Sequence, residues 1–294
     1  MTKNNGMDKS VFLGSVIVFF CCCLTACFPP ETGCLDVEAT NFTLSADNDC
    51  GDDDSETNCP CVFPELTLSV DFVFDKQSYA HNNYYLIDSQ LTQIRLIRFY
   101  MSGFQLRFAD GGWLTVEDTI SLVVLQNIET LDLETDLFTD DFQLINQQSR
   151  ITLGQVAGSG ILDSIRFVVG IEGQANTADP DSISNTQHPL AESSLHTGSQ
   201  VDGYIFNQIS LARKSFNNGQ TKILNISQNV ERGQFVEVKM PISVETPIGT
   251  NFSLGILTIN QAKWFDGIKF ATDSDAVMVE KIVANTPNVF SITN

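Results

Sequence analysis

Three histidines and four clustered cysteines are the side chains of this chain best suited to chemistry. His188 and His196 stand eight residues apart in the polar stretch 173–201, and His81 precedes Asn82-Asn83-Tyr84-Tyr85. Imidazole suits copper, and a thioether such as that of Met101 favours its reduced ion, so His188, His196 and His81 are the candidate metal ligands. The stretch that carries two of them has few large apolar residues and reads as one extended loop, of a length that is usually functional or mobile. Cys34, Cys50, Cys59 and Cys61 all fall before residue 62, and no cysteine follows in the remaining 233 residues. In an oxidising compartment these four are expected to form two disulfides. Cys59 and Cys61 are too close to bond each other without strain, so each should pair with Cys34 or Cys50.

Residues 28–64 contain nine acids and no Lys or Arg. Within them Asp47, Asp49, Asp52, Asp53 and Asp54 offer hard oxygen ligands for Ca²⁺, although the spacing has neither the glycine turn nor the closing bidentate Glu of an EF-hand. Four thiolates on zinc are disfavoured, because Cys59-Pro60-Cys61 is not a C-x2-C knuckle and an oxidising envelope pairs thiols. The favoured reading is a disulfide-pinned acidic spacer. Catalytic signatures are missing from the whole chain: it contains no H-E-x-x-H, G-x-S-x-G, P-loop or dinucleotide fingerprint. Asp140 and Asp141 are adjacent, so on a strand they point to opposite faces and share no acid and base roles. Thiol catalysis is excluded beyond residue 61. The chain reads as a binding protein and not an enzyme.

The segments that must position these groups begin with an export signal. Lys3 and Lys9 precede an uncharged apolar run over residues 11–20, which ends in Leu24-Thr25-Ala26-Cys27 followed by Phe28-Pro29-Pro30. The run is short for a membrane span, and the two prolines stop any helix. The segment resembles a bacterial lipoprotein signal, which implies cleavage before Cys27 and lipidation of its sulfur. Removing Lys3, Lys9 and Asp8 leaves 14 basic against 35 acidic residues. That balance excludes nucleic acid, which needs clustered Lys and Arg, and docking on anionic lipid by charge alone. Membrane attachment should come through the lipid. Phe28 stands where an aspartate would favour inner-membrane retention, so the expected location is the outer membrane of a bacterial envelope, facing either side.

From residue 65 onward apolar residues alternate, the period of half-buried strands. Leu66, Leu68, Val70, Phe72 and Phe74 share one face. Residues 94–108 repeat the pattern, and Asp110-Gly111-Gly112 turns the chain into a strand at 113–116. Further strands are expected at 120–125, 164–171, 203–211, 221–226, 235–242, 252–259 and 277–282, with 128–137 and 149–156 ambiguous and 260–267 a short helix or strand end. Trp113 and Trp264 are expected to be packing residues. The fold class is all-β: an antiparallel β-sandwich with long loops, preceded by the pinned acidic segment. The organisation is a signal peptide at 1–26, a lipidated Cys/Asp-rich linker at 27–64 and a sandwich domain at 65–294.

Two resemblances add to this reading. Gly33-Cys34-Leu35-Asp36-Val37-Glu38-Ala39-Thr40-Asn41-Phe42, with Ala46 and Asp49-Cys50, resembles a short segment at the start of exported Bacteroidetes proteins. Arg98-Phe99-Tyr100-Met101-Ser102-Gly103-Phe104-Gln105-Leu106 with Asp110-Gly111, then Ile165-Arg166-Phe167-Val168-Val169-Gly170-Ile171 with Asn176, resembles the MbnP-like family. Pro189-Leu190, Gly203-Tyr204-Ile205-Phe206 and Ala284-Asn285 follow in the family's order. This resemblance spans about residues 66 to 292 and implies an exported β-sandwich, often a lipoprotein. It also implies copper held by histidines, a tryptophan that can be oxidised to kynurenine, and a dihaem peroxidase-type partner. The chain departs from the pattern at two places. The approach to Gly203-Tyr204, Leu195-His196-Thr197-Gly198-Ser199-Gln200-Val201-Asp202, has no tryptophan. Lys222-Ile223-Leu224-Asn225-Ile226-Ser227 has no histidine-glycine pair.

Overall fold

The computed structural model describes residues 30–49, 60–127, 129–213, 221–227 and 235–293. Cys27, Cys50, Cys59, Asp52, Asp53 and Asp54 lie outside the described residues. The described chain divides into two units. One holds residues 30–35, 42–49, 60 and 61, and the other holds 36–41 and the residues from 62 onward.

In the smaller unit Thr32–Gly33 pairs in parallel with Asn48–Asp49. Cys34 is disulfide-bonded to Cys61, with Cα atoms 5.1 Å apart, one of the two partners the spacing leaves open for Cys61. Asp47 accepts from the Glu31 N–H at 3.1 Å and Asp49 from the Leu35 N–H at 3.3 Å. Both carboxylates thus satisfy backbone donors of a segment too polar to build a core.

The larger unit contains, in chain order, β1 (Glu65–Phe74), β2 (Gln77–Ser78), β3 (Tyr84–Ile87), β4 (Gln90–Phe108), β5 (Trp113–Thr115), β6 (Thr119–Asn127), β7 (Asp132–Thr139), β8 (Gln143–Ile145), β9 (Arg150–Gln155), β10 (Gly160–Val169), β11 (Ile205–Ala212), β12 (Thr221–Ser227), β13 (Val236–Thr246), β14 (Phe252–Asn260), α1 (Asp275–Asn285) and β15 (Phe290–Thr293). The first sheet runs β12-β11-β4-β10-β13, with β3, β5 and β8 also paired to the long β4. The second runs β9-β1-β14-β15, with β2 on β1. A separate ribbon joins β6 to β7. Pairing is antiparallel except between β14 and β1, which run parallel. This is the all-β sandwich that the alternation requires.

Apolar residues from both sheets meet in one core. Phe290 of the second sheet meets Phe167 at 5.3 Å and Phe99 at 6.0 Å, both from the first, in edge-to-face geometry. Trp264 is fully buried, lies edge-on to Phe99 at 5.3 Å and donates its indole N–H to Thr286 Oγ1 at 3.2 Å. It is the packing residue expected. The ambiguous stretch 260–267 is a 3₁₀ turn at Gln261–Phe265.

One expected strand is corrected: residues 277–282 belong to helix α1. Ser274 caps it, accepting from the Val277 N–H, and Asp275 sits in the first turn. The buried Met278 and Ile282 recur at helical, not strand, spacing. Val277 and Val279 favour β-structure by residue type, a weak preference that the capped helix overrides.

Candidate functional site

The polar stretch 173–201 is neither extended nor peripheral. It winds through 3₁₀ turns at Gly173–Thr177, Pro180–Ser182, Pro189–Ala191 and Ser193–Leu195 and sends Ala175, Ala178, Ile183, Leu190 and Leu195 into the core. A loop buried in this way must have its backbone polar groups satisfied, and a small set of side chains does so. Tyr100 on β4 donates its hydroxyl to the Pro189 carbonyl at 3.0 Å. Tyr204 donates to the Leu190 carbonyl. The two rings meet edge to face at 5.5 Å, and burial pushes both phenols well above their ordinary range. Ser102 donates to the Gly170 carbonyl at 3.1 Å and accepts from the Glu172 N–H at 3.1 Å, fixing the loop's entry.

The loop's exit depends on Gly203. Its φ is +61°, and a Cβ there would lie 2.2 Å from the Asn176 carbonyl oxygen. Asn176, fully buried, accepts from the Tyr204 N–H at 3.3 Å. Glycine is therefore required by both conformation and space.

The histidines belong to the same clamp. His188 is 8% exposed and precedes a 3₁₀ turn, where its Nδ1 accepts from the Leu190 N–H at 3.2 Å. A backbone N–H can only donate, so Nδ1 is the unprotonated nitrogen and Nε2 carries the ring proton. That Nε2 lies 2.9 Å from Asp140 Oδ1 and donates to it. His196 repeats the arrangement: its Nδ1 accepts from the Gly198 N–H at 3.1 Å, while its ring meets Tyr204 edge-on at 5.0 Å. Its Nε2 is buried and makes no hydrogen bond with a described residue. Burial lowers the pKa of His196, partly offset by Asp179 and Asp181, which keeps the ring neutral.

His81 stands apart, exposed between β2 and β3, with Nδ1 3.0 Å from Gln147 Nε2. Met101 is fully buried in the core. Among the described residues no group of three His, Cys, Asp or Glu side chains could hold a metal ion. Donor chemistry points the same way. A metal needs an unprotonated nitrogen, and in both loop histidines that nitrogen already holds a backbone N–H. Among the described residues, the two loop histidines do not fit a preformed copper site.

Asp140 and Asp141 lie between β7 and β8, not on a strand, and take different partners. Asp140 takes His188, while Asp141, 4% exposed, accepts from the Phe104 N–H at 2.6 Å. Burial pushes the Asp141 carboxyl up to about 6; the Phe104 and Gly103 N–H groups oppose this, and Glu172 and Asp140 add to it. It lies on a cavity of about 280 Å³ shared with Gly103, Phe104, Phe138, Phe142 and Glu172. Trp113 also departs from expectation. It is 40% exposed on the first sheet's outer face, with the Arg107, Arg166 and Lys239 cationic groups 5.8, 5.1 and 5.3 Å from its ring.

Tyr100, Ser102, Asn176, Leu190, Gly203 and Tyr204 are thus one device that ties a long loop to the first sheet. A family model named MbnP matches residues 64–279. The chain belongs to the MbnP family. MbnP from Methylosinus trichosporium is a solved structure similar to it, at 13% identity and a TM-score of 0.47, covering 78% of this chain and 97% of that one. No curated protein matches the sequence. The loop clamp is the part of this MbnP domain that sequence inspection missed as a unit. Its members lie up to 104 residues apart; each stands in a motif that carries the family resemblance, but no spacing shows that they meet.

Proposed function

We propose that this MbnP-family protein is a non-enzymatic binding module of the bacterial envelope, tethered to the outer membrane through a lipid on Cys27. In it, the two loop histidines serve as struts and not as copper ligands. Family membership supports the binding role. The layout of residues 1–30 supports export and tethering. One observation carries the assignment of the histidines: His188 and His196 each spend their unprotonated Nδ1 on a backbone N–H.

The test is imidazole tautomer mapping by long-range ¹H–¹⁵N correlation on the chain from residue 28 onward. Both loop histidines should show an unprotonated Nδ1 and a protonated Nε2, unchanged after one equivalent of Cu(I) under anaerobic conditions. Copper-dependent loss of either Nε2–H, or a shift of either Nδ1 into the metal-bound range, would defeat the assignment.

A second reading is favoured by the unpartnered Nε2 of His196. If the Gly198 contact were given up, Nδ1 could take the proton and Nε2 would become a ligand, with copper held as the family resemblance implies. That reading predicts copper affinity that disappears in His196→Ala and survives in His188→Ala.

A further inference from the structure

The charge of this chain is distributed unevenly. No Lys or Arg occurs between Arg107 and Arg150, a stretch with nine acids, or between Arg166 and Arg213, which adds Glu172, Asp179, Asp181, Glu192 and Asp202. The β6–β7 ribbon lies inside the first of these stretches. The end of the first 3₁₀ turn and the residues after it close one of the ribbon's edges: the Asp179 N–H bonds the Val123 carbonyl at 3.1 Å, and Thr177 Oγ1 accepts from the Leu125 N–H at 2.9 Å. The other edge is strand β7, which among the described residues pairs with β6 alone.

Strand β7 alternates. Leu133 and Leu137 are 45% and 68% exposed, while Asp132, Glu134 and Asp136 occupy the positions on either side of them and so the opposite face. Register places Asp136 opposite the buried Leu122 and Glu134 opposite the buried Val124. The leucines therefore lie on the face turned away from the core. An unpaired edge with exposed leucines is a template for another strand. A second copy of the chain is a poor occupant. Pairing β7 with itself antiparallel would set acids against acids in one register and acids against leucines in the register shifted by one.

We infer that β7 is the docking edge for an extended segment of a partner protein in which basic and apolar residues alternate. Added as the next strand, that segment sets its Lys or Arg side chains beside Asp132, Glu134 and Asp136 on one face and its apolar side chains beside Leu133 and Leu137 on the other. Main-chain hydrogen bonds supply affinity, and the charge pattern selects the partner.

The probe is a short fluorescent peptide of alternating Lys and Val, titrated with the chain from residue 28 onward and followed by anisotropy. The controls are a scrambled peptide of equal composition, an alternating Glu and Val peptide, and two N-methylated forms, each blocking one edge of the peptide. The alternating Lys and Val peptide should bind, and only one N-methylation pattern should abolish binding. The combined Asp132→Lys, Glu134→Lys variant should lose about tenfold in affinity and gain the Glu and Val peptide, since both side chains are exposed, whereas Asp136 is half-buried and holds Gln126. Equal binding of the scrambled peptide or of both methylated forms would reduce the effect to charge adsorption and overturn strand pairing. No binding of the Lys and Val peptide, or tight binding to a variant-insensitive site, would overturn the proposal outright.

Discussion

Replacing His188 by alanine separates a strut from a ligand, because the two roles predict losses of different kinds. The imidazole donates a charge-assisted hydrogen bond to Asp140, a bond type worth about 1.5–3 kcal/mol. It also caps the Leu190 N–H, worth about 1 kcal/mol. Asp140 keeps about a third of its side chain in water and can rehydrate, which favours the lower end. The expected loss is therefore about 2–3 kcal/mol, or a fall in Tm of about 5–10 °C for a domain of this size. His188→Asn retains an acceptor for Leu190 and should recover about 1 kcal/mol of it. Urea and thermal unfolding of the two variants, read by circular dichroism, give both numbers. The reasoning fails if His188→Ala unfolds within about 0.5 kcal/mol of the parent while its copper content drops.

Further outcomes are expected elsewhere in the molecule. The Asp141 carboxyl, raised to about 6 by burial, holds its proton in the folded chain at pH values where the unfolded chain has released it. Its contribution to stability is thus present below about pH 4 and lost as pH rises through about 6. The difference between the parent and Asp141→Asn should shift against the parent by about 2–3 kcal/mol over that window, measured as urea midpoints. A flat difference refutes the buried-carboxyl assignment. Breaking the Cys34–Cys61 bond, which closes a loop of sequence separation 27, should cost the smaller unit about 3.5 kcal/mol. A protease that cuts after glutamate, needed because residues 28–64 contain no Lys or Arg, should then cleave at Glu31 while the sandwich stays intact; unchanged protection would contradict this. Trp113→Phe should leave only the buried Trp264, so the remaining fluorescence should be blue-shifted and resist acrylamide, and easily quenched emission would place Trp264 wrongly.

Strands were legible wherever one face meets the core and the other meets water. Leu66, Leu68 and Val70 alternate in just that way, and the Asp110-Gly111-Gly112 turn places Trp113 opposite Arg107. The short strands β3, β8 and β15 were not anticipated, since a strand of three or four residues carries too little periodicity to register. Polarity misled at the long loop. Composition made 173–201 read as extended, yet Ala175, Leu190 and Leu195 are core residues, and the cost of burying their backbone is offset by Tyr100, Tyr204, Ser102 and Asn176. The histidines were found as residue types suited to metal. Their tautomers depend on which backbone N–H each ring faces, and no spacing in a sequence encodes that.

Copper retention tests the histidine assignment most directly. The chain from residue 28 onward, loaded anaerobically with excess Cu(I), dialysed against a mild chelator and analysed for metal, should keep well under one copper per chain, with the same residue in His188→Asn and His196→Ala. One copper per chain that survives dialysis and is lost in either variant would mean that the loop histidines are ligands and that the clamp gives way to metal.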